Sequence, residues 1–171
     1  CEVFDPRYQP WIGGGEHFSL FNQPVAAEAN FHMFWKAIRQ LITDDAAALK
    51  QLDKICDEFK QTINTTIQQM WAEKLGLIHY NESLVNELFQ LMVQTKVDFT
   101  IFFRELCKIP KHWSDLKISF YASIPTDLEH QWQAWLQSWN ELIQASGNPT
   151  EIAEKMKRVN PKYTWREWLI A

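Results

Sequence analysis

Glycine is scarce: the 171-residue chain has five, and three of them are adjacent at Gly13-Gly14-Gly15. So few turn-formers favour long helices over many short strands. Cysteine is sparse too. Cys1, Cys56 and Cys107 are odd in number and contain no C-x-x-C pair. That excludes a disulfide framework and leads us to expect a reducing, cytoplasmic setting. Long apolar runs are missing: uninterrupted stretches last a few residues, such as Ile101-Phe102-Phe103. A membrane-spanning helix needs about 20, so no membrane partner is expected. No basic-then-apolar signal segment opens the chain. Positive charge is not in excess either. Lys plus Arg is 17 against 21 Asp plus Glu, a net −4 with neutral His. A dedicated nucleic-acid binder must neutralise phosphates, so no nucleic-acid partner is expected.

The motifs of self-contained chemistry are absent as well. His17, His32, His79, His112 and His130 include no i, i+4 pair and no His-Glu-x-x-His. Gly13-Gly14-Gly15-Glu16 is followed by no Gly-Lys-Ser/Thr and preceded by no strand pattern, so it reads as a turn rather than a phosphate loop. Cys56 and Cys107 fall on helical apolar stripes and read as buried, inert thiols. Asp44-Asp45 and the pair Asp127 and Glu129 sit where helices start, and the helix dipole accounts for them. Lys155, Lys157, Arg158, Lys162 and Arg166, interleaved with Trp165 and Trp168, are diluted by Glu154 and Glu167 and read as a solvated face. No active site complete in itself is expected.

What the chain does have is aromatic bulk: nine Trp, eleven Phe and four Tyr. A core of packed helices would use it, and so would an exposed surface for a partner or a further part of the same protein. Residues 1–24 are punctuated by Pro6, Pro10, the three glycines and Pro24, and keep no period. They read as an irregular arm, with a helical domain over 25–171. From Pro24 the period becomes helical: Ala26, Ala29, Asn30, Met33, Phe34, Ala37, Ile38 and Leu41 recur at threes and fours and make one face.

Thr43-Asp44-Asp45 offers a cap for a second helix ending at Lys74-Leu75-Gly76. Asn81 caps a third, apolar on more than one face near 99–103 and stopped before Pro110. Residues 111–124 fit either a short helix at Trp113–Leu116 or an extended loop. Pro125-Thr126-Asp127 opens a fourth helix closed by Gly147. Asn148-Pro149-Thr150-Glu151 starts a fifth, broken at Asn160-Pro161. A last turn begins near Tyr163, Trp165, Trp168 and Leu169. The fold class is all-α: an irregular arm, then a bundle of about five to seven helices. The first residue is Cys1 and the last turns are still apolar, from which an excised or processed piece is expected.

Read in order, several strings resemble the SelO (YdiU) family of kinase-like protein adenylyltransferases. They are Phe4-Asp5-Pro6, Phe21-Asn22-Gln23-Pro24, Asn30, Lys74-Leu75-Gly76-Leu77 and Leu91-Met92. Asp98-Phe99-Thr100 with Phe102-Phe103-Arg104, then Trp135-Leu136, Met156, Asn160-Pro161-Lys162-Tyr163 and Arg166 complete the set. Two strings depart from the family. The arm reads Gly13-Gly14-Gly15-Glu16-His17-Phe18 where an Asp and a Gly-Arg-Tyr are usual, and Ala29 stands where a Trp precedes Asn30.

The resemblance implies the helical C-lobe part of a kinase-like fold, with the arm as a remnant of the activation segment. It implies a parent pseudokinase that transfers AMP from ATP to protein hydroxyl side chains with Mg²⁺ or Mn²⁺. The nucleotide and metal ligands would lie upstream, the last in an Asp-Tyr-Gly-Pro segment just before Cys1. The family's terminal redox Cys or selenocysteine motif has no counterpart here. Within this chain the resemblance implies no catalytic, cofactor-binding or metal-ligating residue, and an inert fragment whose partners are the upstream part of the same protein and, for the parent, protein substrates. Asp98 and Arg104 are charges in a very apolar helical stretch and demand partners. They would hold the lobe together or brace the arm, with Asn22, Gln23 and Asn30 on the arm side. The other reading is a stand-alone helical interaction module with a Trp-rich partner surface.

Overall fold

The computed structural model describes residues 3–9 and 15–164. Its elements are helices: α1 Gln23–Leu41, α2 Ala46–Lys74, α3 Glu82–Thr95, α4 Phe99–Leu106, α5 Thr126–Ser146 and α6 Pro149–Val159, with 3₁₀ turns at Gly15–Phe18, Leu20–Asn22 and Trp113–Ser119. Extended pairing among the described residues is confined to isolated bridges, Val3 with Asp98 and Val97 with Phe120. The all-α expectation holds. None of these helices is long and apolar enough to cross a membrane. The chain forms two compact bodies, Pro6–Ile67 and Cys1–Asp5 with Gln68–Ala171.

In the first body Pro24 enters α1 in its first turn, where a missing N–H costs nothing. The Asp45 carboxylate accepts from Ala48 N at 2.9 Å as α2 begins. The two helices meet through Phe31 on Phe59, whose rings stack with centroids 4.0 Å apart. Asp53 of α2 accepts from Trp35 Nε1 at 3.0 Å and pairs with Arg39, which holds its carboxyl below the usual range. The α2 stripe Leu52, Cys56, Phe59, Ile63 and Ile67 is half-buried; Cys56, expected to be buried, is only half covered, with His32 Nδ1 3.7 Å from its Sγ, because this body packs few side chains around it. The α1 stripe behaves differently. Met33, Phe34, Ala37 and Leu41 are exposed, and Phe31, His32, Trp35 and Arg39 make contacts with α2. Among the described residues of this body, Ser19 alone is buried.

The second body holds the core. The third helix expected from Asn81 to Pro110 is two helices. Asn81 Oδ1 does cap α3, accepting from Leu84 N at 3.0 Å. At its end Lys96 turns left-handed, with φ 51°, and Asp98 starts α4 afresh by accepting from Ile101 N at 2.9 Å. The break has a cause. Val97 O accepts from Phe4 N at 2.7 Å and Asp98 N donates to Ser119 O at 2.8 Å, so this backbone pairs sideways instead of along a helix axis.

Beyond the break α4 buries Phe102, Phe103 and Leu106. α5 lays Trp132, Trp135, Leu136, Trp139 and Ile143 against the core. The indole N–H groups of Trp135 and Trp139 reach the carbonyls of Leu84, at 2.9 Å, and Leu75, at 2.8 Å. All the described tryptophans are buried or half-buried. In the ambiguous 111–124 stretch the 3₁₀ turn Trp113–Ser119 is followed by the bridge residue Phe120 and irregular backbone up to Pro125. Asn148 Oδ1 caps α6 from Thr150 N at 2.9 Å. Trp165, Arg166, Trp168 and Leu169 lie outside the described residues.

Candidate functional site

Three of the strings singled out in the sequence converge in the second body. α2 ends at Lys74, and Gly76 lets the chain turn with φ +69°. α4 brings Phe99, Phe103 and Arg104, and α6 delivers Asn160 at its C-terminal cap. Lys74 is 8% exposed and Asn160 fully buried. Lys74 Nζ donates to Asn160 Oδ1 at 2.8 Å and stands over the Phe103 ring, 4.5 Å from its centroid, with Phe99 at 5.3 Å. Asn160 Nδ2 donates back to Lys74 O at 2.9 Å and to Cys107 Sγ at 3.6 Å. Burial pulls the Lys74 ammonium down to about 8 and pushes the Cys107 thiol up. Cys107 itself donates to Phe103 O at 3.1 Å. A thiol held protonated is a poor nucleophile, so the cluster is built to hold rather than to react.

Arg104 faces the same junction. Its Nη1 donates to Lys157 O and Asn160 O, both at 3.1 Å, closing the C-terminal carbonyls of α6. Asp98 works at the other end of α4. It is 2% exposed, caps the helix, and accepts from Tyr121 OH at 2.7 Å. The two charged residues therefore bind different partner sets at opposite ends of one short helix. Sequence reading put Asp98 inside that helix; it stands at the cap because the backbone pairs sideways there.

The arm-side residues fall in the first body. Asn22 Nδ2 donates to Glu16 O at 3.0 Å and His17 O at 3.2 Å, tying down the 3₁₀ turn before α1. Gln23 Nε2 donates to Ser19 O at 3.3 Å. Asn30 is exposed on α1.

A cleft of about 400 Å³ opens beside the junction, with Leu77, Ile78 and Ile152 among its apolar walls and Glu73, Lys155 and Arg158 at its charged edge. Ser146, a hydroxyl among its described lining residues, donates to Leu142 O at 2.7 Å. Among the described residues that line it, none pairs a nucleophile with a base. Among the described residues no group of three His, Cys, Asp or Glu side chains could hold a metal. Lys74 and Asn160 were not marked as site residues from sequence. Their signal was membership of the Lys-Leu-Gly-Leu and Asn-Pro-Lys-Tyr strings, 86 residues apart.

Comparison with known proteins places these strings in context. Residues 2–171 match the family described as protein adenylyltransferase SelO. A protein nucleotidyltransferase YdiU of Tolumonas auensis is 31% identical over 176 residues, which cover 97% of this chain and 33% of that protein. Proteins of the same name from Flavobacterium johnsoniae and Methylobacillus flagellatus are 26% and 29% identical, over 98% and 97% of this chain. The chain spans about a third of the length of these curated relatives.

Proposed function

Because the chain belongs to the SelO family of protein adenylyltransferases, we propose that it is the helical C-terminal part of a SelO-like pseudokinase. The whole protein would transfer AMP from ATP to hydroxyl side chains of proteins, with Mg²⁺ or Mn²⁺. The observation that carries this reading is the family match over residues 2–171 in a chain a third as long as its relatives. The division of labour follows from the chemistry. Phosphoryl and nucleotidyl transfer need cations on the phosphates and oxygen or nitrogen ligands on the metal.

The described residues do not fit such a site. The Lys74 ammonium is sealed under Asn160 and Phe103. Lys155 and Arg158 share their rim with Glu73. Nucleotide and metal then belong to the upstream N-terminal part of the same protein, and this part is inert alone. Residues 1–24 act as the remnant of the activation segment, and 25–171 as the helical lobe. Asn22 and Gln23 fold the arm at the mouth of α1, and Asp98 and Arg104 brace the two ends of α4.

The test is AMP transfer. Incubated with labelled ATP, Mg²⁺ or Mn²⁺ and a protein acceptor, the 171-residue chain should label nothing, and the protein encoded by the whole reading frame should label the acceptor. Robust transfer by the chain alone overturns the inertness. No transfer by the whole protein overturns the activity.

A further inference from the structure

The first body leaves one face bare. A helix with an apolar stripe is stable when something covers it, yet α1 buries no residue. Its contacts with α2 include Phe31, His32, Trp35 and Arg39, on one side of the helix. Spacings of three and four put Ala29, Met33, Ala37 and Leu41 on the opposite side, with Phe34 beside them. Met33 is 63% exposed, Phe34 60% and Leu41 79%. A body whose described residues bury Ser19 alone shows no apolar core of its own to hold it together. The alanines around Met33 leave room for another element to come close.

We propose that this outer face of α1 is the seat of the upstream part of the same polypeptide. The inference rests on the functional reading above and names where its two parts meet. The length of the relatives argues for this occupant, since about two thirds of their chain lies outside the stretch matched here. The size of the face argues against a second copy. A stable interface between separate molecules takes roughly 20–30 residues a side, and one helix stripe offers far fewer. A partner on the same chain needs less, because its effective concentration is already about millimolar.

Cysteine accessibility tests it. Met33→Cys is made in a Cys1→Ser, Cys56→Ser background, both in the 171-residue chain and in the protein of the whole reading frame. Maleimide labelling is timed against the same protein in urea. In the isolated chain position 33 should label nearly as fast as when denatured. In the whole protein it should label at least about tenfold slower, as a residue in a closed interface does. Equal rates in the two proteins overturn the inference. So does a reading frame with nothing upstream of Cys1. Slow labelling in the isolated chain, with a dimer in light scattering, overturns it in favour of a second copy.

A second measurement guards against a variant that folds poorly. Met33→Glu with Phe34→Glu should lower the melting temperature of the whole protein and leave that of the isolated chain unchanged; an equal fall in both overturns the interface. A whole protein that protects position 33 but transfers no AMP would sink the activity and leave the interface standing.

Discussion

Lys74 and Asn160 hold each other twice. The Lys74 ammonium donates to the Asn160 side-chain oxygen at 2.8 Å, and the Asn160 amide donates to the Lys74 carbonyl at 2.9 Å. One side chain thereby closes the C-terminus of α2 and satisfies a buried cation, across 86 residues of sequence. Asn160→Ala removes both bonds and strands the ammonium under Phe103. Stranding a buried charge costs more than an ordinary hydrogen bond, so a loss of roughly 3 kcal/mol is expected in urea unfolding. Replacing both partners by apolar residues, Lys74→Met with Asn160→Leu, should cost less than Asn160→Ala alone. A loss below about 1 kcal/mol for Asn160→Ala would show that the pair holds nothing.

The same lysine makes stability depend on pH. Burial lowers its pKa from 10.5 to about 8, although the Asn160 oxygen and the Phe103 face favour the charged form. Between those values the unfolded chain keeps a proton that the folded chain has released. The unfolded state binds more protons there, so stability rises with pH through the window and is flat below it. The gain is on the order of 3 kcal/mol, at about 1.4 kcal/mol for each unit. Other groups titrate in this range, so the quantity to measure is wild type minus Lys74→Met. That difference should move in favour of the wild type from pH 8 to 10.5, and a flat difference refutes it.

Much of the fold was legible because caps and breakers act locally. Asp45, Asn81, Asn148, Pro149 and Gly147 mark helix ends in the sequence, and they mark them in the structure. The interruption at Lys96 was not legible. It arises from pairing of Val97 and Asp98 with Phe4 and Ser119, partners far away along the chain. Periodicity found the α2 face, and it found the α1 stripe without being able to say which side of α1 meets α2. That choice was made by Phe31 and Trp35, whose rings and indole N–H find Phe59 and Asp53. The convergence of Lys74, Arg104 and Asn160 was hidden for the same reason. Each string was visible, but what joins them is tertiary.

Gly76 offers the sharpest packing test. Its φ is +69°, and a Cβ there would lie 2.6 Å from Ile152 Cγ2 and 2.7 Å from Met156 Sδ. Gly15 has nearly the same backbone, φ +63°, with nothing within 4 Å of the corresponding position. Gly15→Ala therefore reports the left-handed backbone alone, about 1 kcal/mol. Gly76→Ala adds overpacking against α6 and should cost roughly 2–4 kcal/mol. Because the added cost is a clash with particular atoms, trimming one of them should relieve it. Gly76→Ala combined with Met156→Ala should destabilise by less than the sum of the two single changes. Strict additivity, or equal costs for the two glycines, would mean that α6 does not press on the turn after α2.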